Sequence, residues 1–258
     1  MIICSVITVP DRTDDFIKTL DELLLSTIIP DFLYVSISKF YPRLNKSISE
    51  SDIEKISEKL KNYPIKNRIV FYDQDTGPCL KLLTPLKEHN LLSDDQILIF
   101  DDDNGLFPTA IECLKNTLDK HGNESVYGIM GIKSGQYVHG EFVNGDYYPV
   151  DLLGGYRGVL YPSNTLNYED LNNWVNMFIE GYKLHDMIAM HDDHIFSYYL
   201  KYKNIESRVV NVYPRYEEWK INYWPKPNSN GIFQYDRVQE SIEVLDEVLK
   251  NNNISLQL

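Results

Sequence analysis

A chain of 258 residues, 43% of them hydrophobic, has the capacity for one large α/β domain with a substantial core. Its formal charge of −13 excludes a nucleic-acid backbone as the natural partner, but not a nucleotide-sized anion held by a local basic site or a bound metal. No apolar run approaches membrane-spanning length, and Cys4, Cys79 and Cys113 lack zinc spacing, so they read as reduced thiols in a cytoplasmic setting.

Residues 2–9 read as a first strand, ended by Pro10; they lack the basic start and small-residue cleavage site of a signal peptide. Thr13 or Asp14 is placed to cap a helix through Phe16, Leu20, Leu23 and Leu24. A second strand at 32–38 leads to a charged helix begun by Ser49 or Ser51. A third strand at 68–72 leads to a helix through Leu80, Leu83 and Leu86. Ile97 to Phe100 form a continuous apolar run, as in a strand buried on both faces, and a helix follows over 109–120. Four strand–helix repeats predict a parallel sheet with right-handed crossovers, whose ligands bind beyond the carboxyl ends of the strands. The stretches following the first, third and fourth strands should therefore converge.

After residue 125 the pattern changes. A strand is expected at 126–132, then short antiparallel strands at 137–138, 141–143 and 147–153 with glycine turns. A Gly-rich loop at 154–158 enters another strand. Helices near 168–180 and 191–203, a strand at 207–213, an irregular aromatic stretch at 214–235 and an amphipathic helix at 238–249 complete the chain. No linker or repeat divides it. The expected organisation is one catalytic domain at 1–213, in halves 1–124 and 125–213, with 214–258 as a lid or extension packed on it. No pattern in the sequence specifies an oligomeric state.

Five stretches carry chemistry. Asp101, Asp102 and Asp103 follow the buried fourth strand, where three carboxylates repel one another and lose hydration. A divalent cation among them is the simplest relief, and oxygen ligands favour Mg²⁺, Mn²⁺ or Ca²⁺ over zinc. The plain alternative is a solvated turn capping the next helix. An EF-hand loop is excluded, because its glycine position holds Leu106.

In the stretch from Asp75 to Lys81, Gly77-Pro78 marks a helix start, and Lys81 lies near the helix N-terminus, where an ammonium could reach a phosphate. Arg12 is a second candidate anion ligand, or a solvated loop arginine. His191-Asp192-Asp193-His194 reads either as a helix N-cap or as a carboxylate general base, Asp192 or Asp193, tuned by a neighbouring histidine. Gly154 to Gly158 let backbone approach a ligand, with Gly155 and Arg157 near it, or form a plain turn. The aromatic stretch from Trp219 to Pro225 is the fifth.

With these in place the chain resembles nucleotide-sugar glycosyltransferases of the GT-A fold, over roughly residues 1–213. The closest likeness is to small bacterial and large-DNA-virus enzymes of the chlorovirus type. The likeness rests on the strand with its Asp-Asp-Asp motif, the Gly-Pro-x-x-Lys segment upstream and the stretch 154–162. It implies a mixed, mainly parallel central sheet flanked by helices, a small antiparallel sheet and a C-terminal helical extension. It implies transfer of a sugar from a UDP-sugar donor to a glycan hydroxyl, with inversion, in a cytoplasmic or host-cytoplasmic setting if the source is viral. Residue by residue, Asp101 or Asp102 would face the ribose. Asp103, with Asp101, would ligate Mn²⁺ or Mg²⁺. Thr8, Pro10 and Arg12 would line the base pocket with Asp75 alongside, and Lys81 would lie near the ribose or pyrophosphate. Gly155 and Arg157 would flank the donor sugar, and Asp192 or Asp193 would deprotonate the acceptor. No His follows His194, where many such enzymes place a late metal ligand.

Two rival readings remain at this level. A sugar nucleotidyltransferase usually opens with a Gly-rich basic loop after its first strand, where this chain has Thr8-Val9-Pro10-Asp11-Arg12. A non-catalytic nucleotide-sugar-binding protein is the other.

Overall fold

The structure is a computed structural model that describes residues 1–184, 191–212 and 235–256. The first half alternates as expected: β1 (Ile2–Ile7), α1 (Thr13–Leu23), β2 (Phe32–Ser38), α2 (Glu50–Lys61), β3 (Lys66–Tyr72), α3 (Leu80–Glu88), β4 (Gln96–Ile99) and α4 (Ala110–His121). It continues with β5 (Ser125–Gly128), β6 (Met130–Lys133), β7 (Gln136–His139), β8 (Tyr147–Val150), β9 (Leu152–Leu153), β10 (Val159–Pro162), α5 (Tyr168–Leu184), α6 (Asp192–Tyr202), β11 (Glu206–Val210) and α7 (Tyr235–Asn251).

The central sheet has eight strands in the order β3-β2-β1-β4-β10-β5-β11-β8, and β7-β6-β9 form a small antiparallel sheet. β1 to β4 are mutually parallel, as their helical crossovers require. β10 runs antiparallel between β4 and β5, while β5 and β11 are parallel again. The core has two layers. Phe16, Leu20, Ile56 and Leu114 pack one face of the sheet, and Leu82, Trp174, Phe178, Ile195 and Leu245 pack the other. Each of these side chains, taken out of water, contributes about 1.5–3 kcal/mol.

Three expectations are corrected. The strand at 126–132 is two strands. The chain leaves the large sheet at Ile129, whose carbonyl accepts from the Gly140 N–H, and enters the small one. Residues 141–143 are not a strand but lie in and after a 3-10 turn, Gly140–Phe142. A Cβ on Gly140 would meet the Val210 carbonyl at 2.5 Å, so glycine lets the turn press against β11. Neither Thr13 nor Asp14 caps α1. Arg12 holds that position without a side-chain cap bond, and Asp14 and Asp15 complement the dipole from the first turn. Ser49 does cap α2, accepting from the Asp52 N–H at 3.0 Å. The aromatic stretch Trp219 to Pro225 lies outside the described residues.

Candidate active site

β1, β3 and β4 end on the same edge of the sheet, and the loops beyond them meet α6 and the 3-10 turn Gly155–Arg157. After β1 the chain turns through Asp11 at φ 70°. Thr8 and Pro10 are buried there, and the Arg12 guanidinium reaches across to β4's end. One Arg12 nitrogen lies 3.1 Å from Asp102 Oδ1 and 3.1 Å from Asp103 Oδ2. Burial alone would lower the Arg12 pKa, but Asp102 and Asp103 outweigh it and raise it. Asp102 is 4% exposed, and burial raises its carboxyl to about 6 against the pull of Arg12.

Asp101 turns the other way. Its Oδ1 accepts from the Lys81 ammonium at 2.7 Å, and the same ammonium lies 2.7 Å from Asp192 Oδ2. Lys81 is the second residue of α3, after the 3-10 turn Gly77–Cys79, and is 2% exposed. Burial works against its charge, but Asp101, Asp192 and Asp193 overcome that and hold its pKa well above the ordinary lysine range. Asp192 and Asp193 open α6, whose cap position belongs to His191, with no side-chain cap bond. The Gly155 N–H donates to Asp193 Oδ1 at 2.8 Å. Burial, then the neighbouring Asp192 charge, push the Asp193 carboxyl well above its ordinary value. A Cβ on Gly155 would meet Asp193 Oδ1 at 2.7 Å, which accounts for glycine at that position.

Asp75 lies to one side. Its Oδ1 accepts from the Ser38 hydroxyl at 3.1 Å and the Gly77 N–H at 2.9 Å, so it shapes the turn into α3. Arg157 lies with its guanidinium over the Tyr156 ring, 5.7 Å from its centroid. Sequence reasoning did not single out three residues that hold this edge together. The Thr19 hydroxyl donates to the Asp102 carbonyl at 2.9 Å, and the Tyr41 hydroxyl donates to the Thr8 carbonyl at 2.7 Å. The Ser38 N–H donates to the Tyr41 oxygen at 2.9 Å. Nothing in local periodicity marks Thr19 or Tyr41, because the carbonyls they bind are 83 and 33 residues away in the chain.

Among the described residues, no group of three His, Cys, Asp or Glu side chains could hold a metal unaided. Five carboxylates, Asp101, Asp102, Asp103, Asp192 and Asp193, share two cationic side chains, Arg12 and Lys81. Even with Asp193 protonated, four carboxylates face two cations, and that surplus of negative charge leaves the site open to a further cation.

His194, on the first turn of α6, is mostly buried, and its Nδ1 has no hydrogen-bond partner. Burial, then the neighbouring His191, lowers its pKa from 6.5 to about 4. The folded state therefore keeps this ring neutral at pH values where the unfolded chain already binds a proton. Its stabilising effect is full above pH 6.5 and is lost as pH falls towards 4, about 3 kcal/mol in all. His194→Gln should remove this part of the acid sensitivity. Melting temperatures at pH 7 and pH 4.5 should differ by roughly 5–10 °C less in the variant than in the wild type.

No family model matches this chain, and no curated protein matches it. Solved structures do. The structure of GalNAc-T7 with UDP, GalNAc and Mn²⁺ aligns at a TM-score of 0.58 and 10% identity, covering 81% of this chain and 41% of that one. A mannosyltransferase from Pyrobaculum calidifontis in complex with GDP-Man and Mn²⁺ aligns at 0.44 and 13% identity, over 64% of this chain and 45% of that one. A 4-diphosphocytidyl-2C-methyl-D-erythritol synthase from Anaerococcus prevotii aligns at 0.41 and 14% identity, over 77% and 84%. The chain thus spans less than half the length of the first two. Among the described residues no helix is long and apolar enough to cross a membrane. Eight strands in a mixed, mainly parallel sheet, covered by helices and joined to a small antiparallel sheet, make this a Rossmann-like fold of the GT-A type.

Proposed function

We propose that this chain is a metal-dependent glycosyltransferase that moves a sugar from a UDP-sugar to a hydroxyl of a glycan acceptor, with inversion. The observation that carries the reading is the Lys81 ammonium, 2.7 Å from Asp101 at the end of β4 and 2.7 Å from Asp192 at the start of α6. It brings together two carboxylate sets that such a transfer needs close to one reacting centre. The UDP-sugar donor rests on the resemblance in sequence, and the UDP and Mn²⁺ in the GalNAc-T7 structure are consistent with it.

Asp103 and Asp101 are the fitting protein ligands for Mn²⁺ or Mg²⁺. Such ions are commonly held by one or two carboxylates plus substrate phosphates, and the surplus of carboxylates here suits that arrangement. When bound, the ion would neutralise the charge that develops on the departing diphosphate. The chain's own residues do the rest. Thr8, Pro10 and Arg12, with Asp75 beside them, form the wall after β1 and β3 that receives the nucleotide. Asp102 fixes Arg12 in that wall. Gly155 brings its backbone against the sugar's place, held by Asp193, and Arg157 ends the same turn. Asp192 or Asp193 takes the proton of the acceptor hydroxyl as the new bond forms. The domain is assigned to 1–213, with 214–258 as an extension.

The experiment is product analysis. The protein is incubated with Mn²⁺, UDP-glucose, UDP-galactose, UDP-GlcNAc or UDP-GalNAc, and a panel of glycosides. UDP release by chromatography and the anomeric configuration of the product by NMR are then read. Metal-dependent UDP release with a β-linked product from an α-linked donor is expected. Consumption of a nucleoside triphosphate with a sugar phosphate, and no UDP release from any donor, would establish the nucleotidyltransferase alternative instead.

A further inference from the structure

Lys81 stands where a phosphate ligand would be expected, near the start of a helix, yet its ammonium is turned inward. It is 2% exposed and engaged by two carboxylates at 2.7 Å each. An anion could reach it only if both ion pairs opened. Nor is stability a sufficient account of it. A buried ion pair is often no more stabilising than apolar side chains of the same volume, whereas removing one partner strands the other. Its two partners differ in place. Asp101 follows β4 beside Asp102 and Asp103, and Asp192 begins α6, next to the Asp193 that accepts the Gly155 N–H. Asp193 acts on the same ammonium through its charge, and both groups border Gly155: a Cβ there would be 2.7 Å from Asp193 Oδ1 and 3.8 Å from Lys81 Nζ.

We propose that Lys81 is a positioning residue that ties Asp101, on the donor side, to Asp192, on the acceptor side, so that a ligand on Asp101 sets the placement of the carboxylate that receives the acceptor proton. This rests on the glycosyltransferase reading. A cation or hydroxyl that draws on Asp101 competes with Lys81 for that carboxylate. The ammonium then leans on Asp192 and Asp193, which stiffens the α6 end when the donor is in place. Lys81 touches neither substrate and works through Asp192.

The test asks whether Lys81 acts through Asp192. Lys81→Met, Lys81→Arg, Asp192→Asn and the double variant Lys81→Met/Asp192→Asn are compared with the wild type. Two quantities are read: the affinity for UDP with Mn²⁺ by calorimetry, and kcat for transfer from the UDP-sugar that the wild type turns over. The double variant removes one positive and one negative charge and so leaves the net charge of the edge unchanged. If Lys81→Met fails to fold, Lys81→Arg alone and with Asp192→Asn takes its place. The expected result is UDP–Mn²⁺ affinity within about threefold of wild type and kcat at least tenfold lower in the Lys81 variants. Within the Asp192→Asn background, changing Lys81 should cost less than about twofold more, as expected of residues acting as one unit.

A loss that multiplies equally in both backgrounds, or nucleotide affinity that falls as far as kcat, would overturn the proposal and leave the transferase reading standing. A wild type that binds no nucleotide and turns over no donor would overturn both.

Discussion

Asp192→Asn should lower kcat for sugar transfer by about 10²–10⁴-fold, the range expected when a positioned general base is removed. Nucleotide binding should stay within about threefold, because Asp192 reaches the rest of the site through Lys81 and not through Arg12, Asp102 or Asp103. Asp193→Asn should cost less, about tenfold. Asp193 Oδ1 accepts the Gly155 N–H, and burial with the Asp192 charge favours its protonated form, so its work is to hold the turn at Gly155. An asparagine there keeps an acceptor oxygen for that N–H. Steady-state kinetics on both variants, with UDP affinity measured alongside, checks the ranking. If Asp193→Asn proves the more damaging, the base is Asp193. If neither variant loses transfer, the proton goes elsewhere and the assignment of α6 falls.

Asp103→Ala should be comparably severe, with metal-dependent turnover down by about 10²–10³-fold. That is roughly the effect of removing one electrostatic group aimed at charge developing in a transition state. The side chain is a small part of the fold's stability, as its ion pair to Arg12 duplicates the one Arg12 makes to Asp102. The loss should therefore appear in activity and in Mn²⁺ dependence, with little change in the melting temperature of the free protein. Asp102→Ala should behave differently. It removes a 4% exposed carboxylate that anchors Arg12, so it disturbs the nucleotide wall as well as the charge balance.

How much of this was legible in the sequence depended on distance along the chain. The first four strand–helix repeats stood out because each is encoded locally, by apolar runs of strand length and helical spacing between them. The acidic triplet at β4's end stood out for the same reason: an apolar run stops and three carboxylates begin. The second half was less legible. β10 pairs antiparallel with β4, and β5 hands the chain to a second sheet at Ile129, both consequences of which strands meet rather than of any local pattern. The apolar spacing at 141–143 suggested a strand, but the close approach of Gly140 to β11 makes it a turn.

The candidate site shows the same division. Residue types and loop positions pointed to Asp101, Lys81 and Asp192 separately. That the buried Lys81 ammonium joins the two carboxylates is a tertiary fact, and so are the bonds from Thr19 and Tyr41 that brace the loops. The His-Asp-Asp-His stretch could be read as a helix cap. In the fold its carboxylates reach out of the helix to Lys81 and Gly155, a choice the sequence alone left open.

The central claim is that this sheet edge holds a nucleotide through a divalent cation. Its most direct test is thermal unfolding of wild type and Asp103→Ala with UDP, GDP, CDP or ADP, each with and without Mn²⁺. A ligand at a hundred times its dissociation constant stabilises the folded state by about 2.7 kcal/mol, roughly 5–10 °C for a chain of this size. The account predicts such a rise for the wild type with UDP and Mn²⁺ together, little with either alone, and none in Asp103→Ala. Absence of any rise with every nucleotide, or an equal rise in Asp103→Ala, would contradict it.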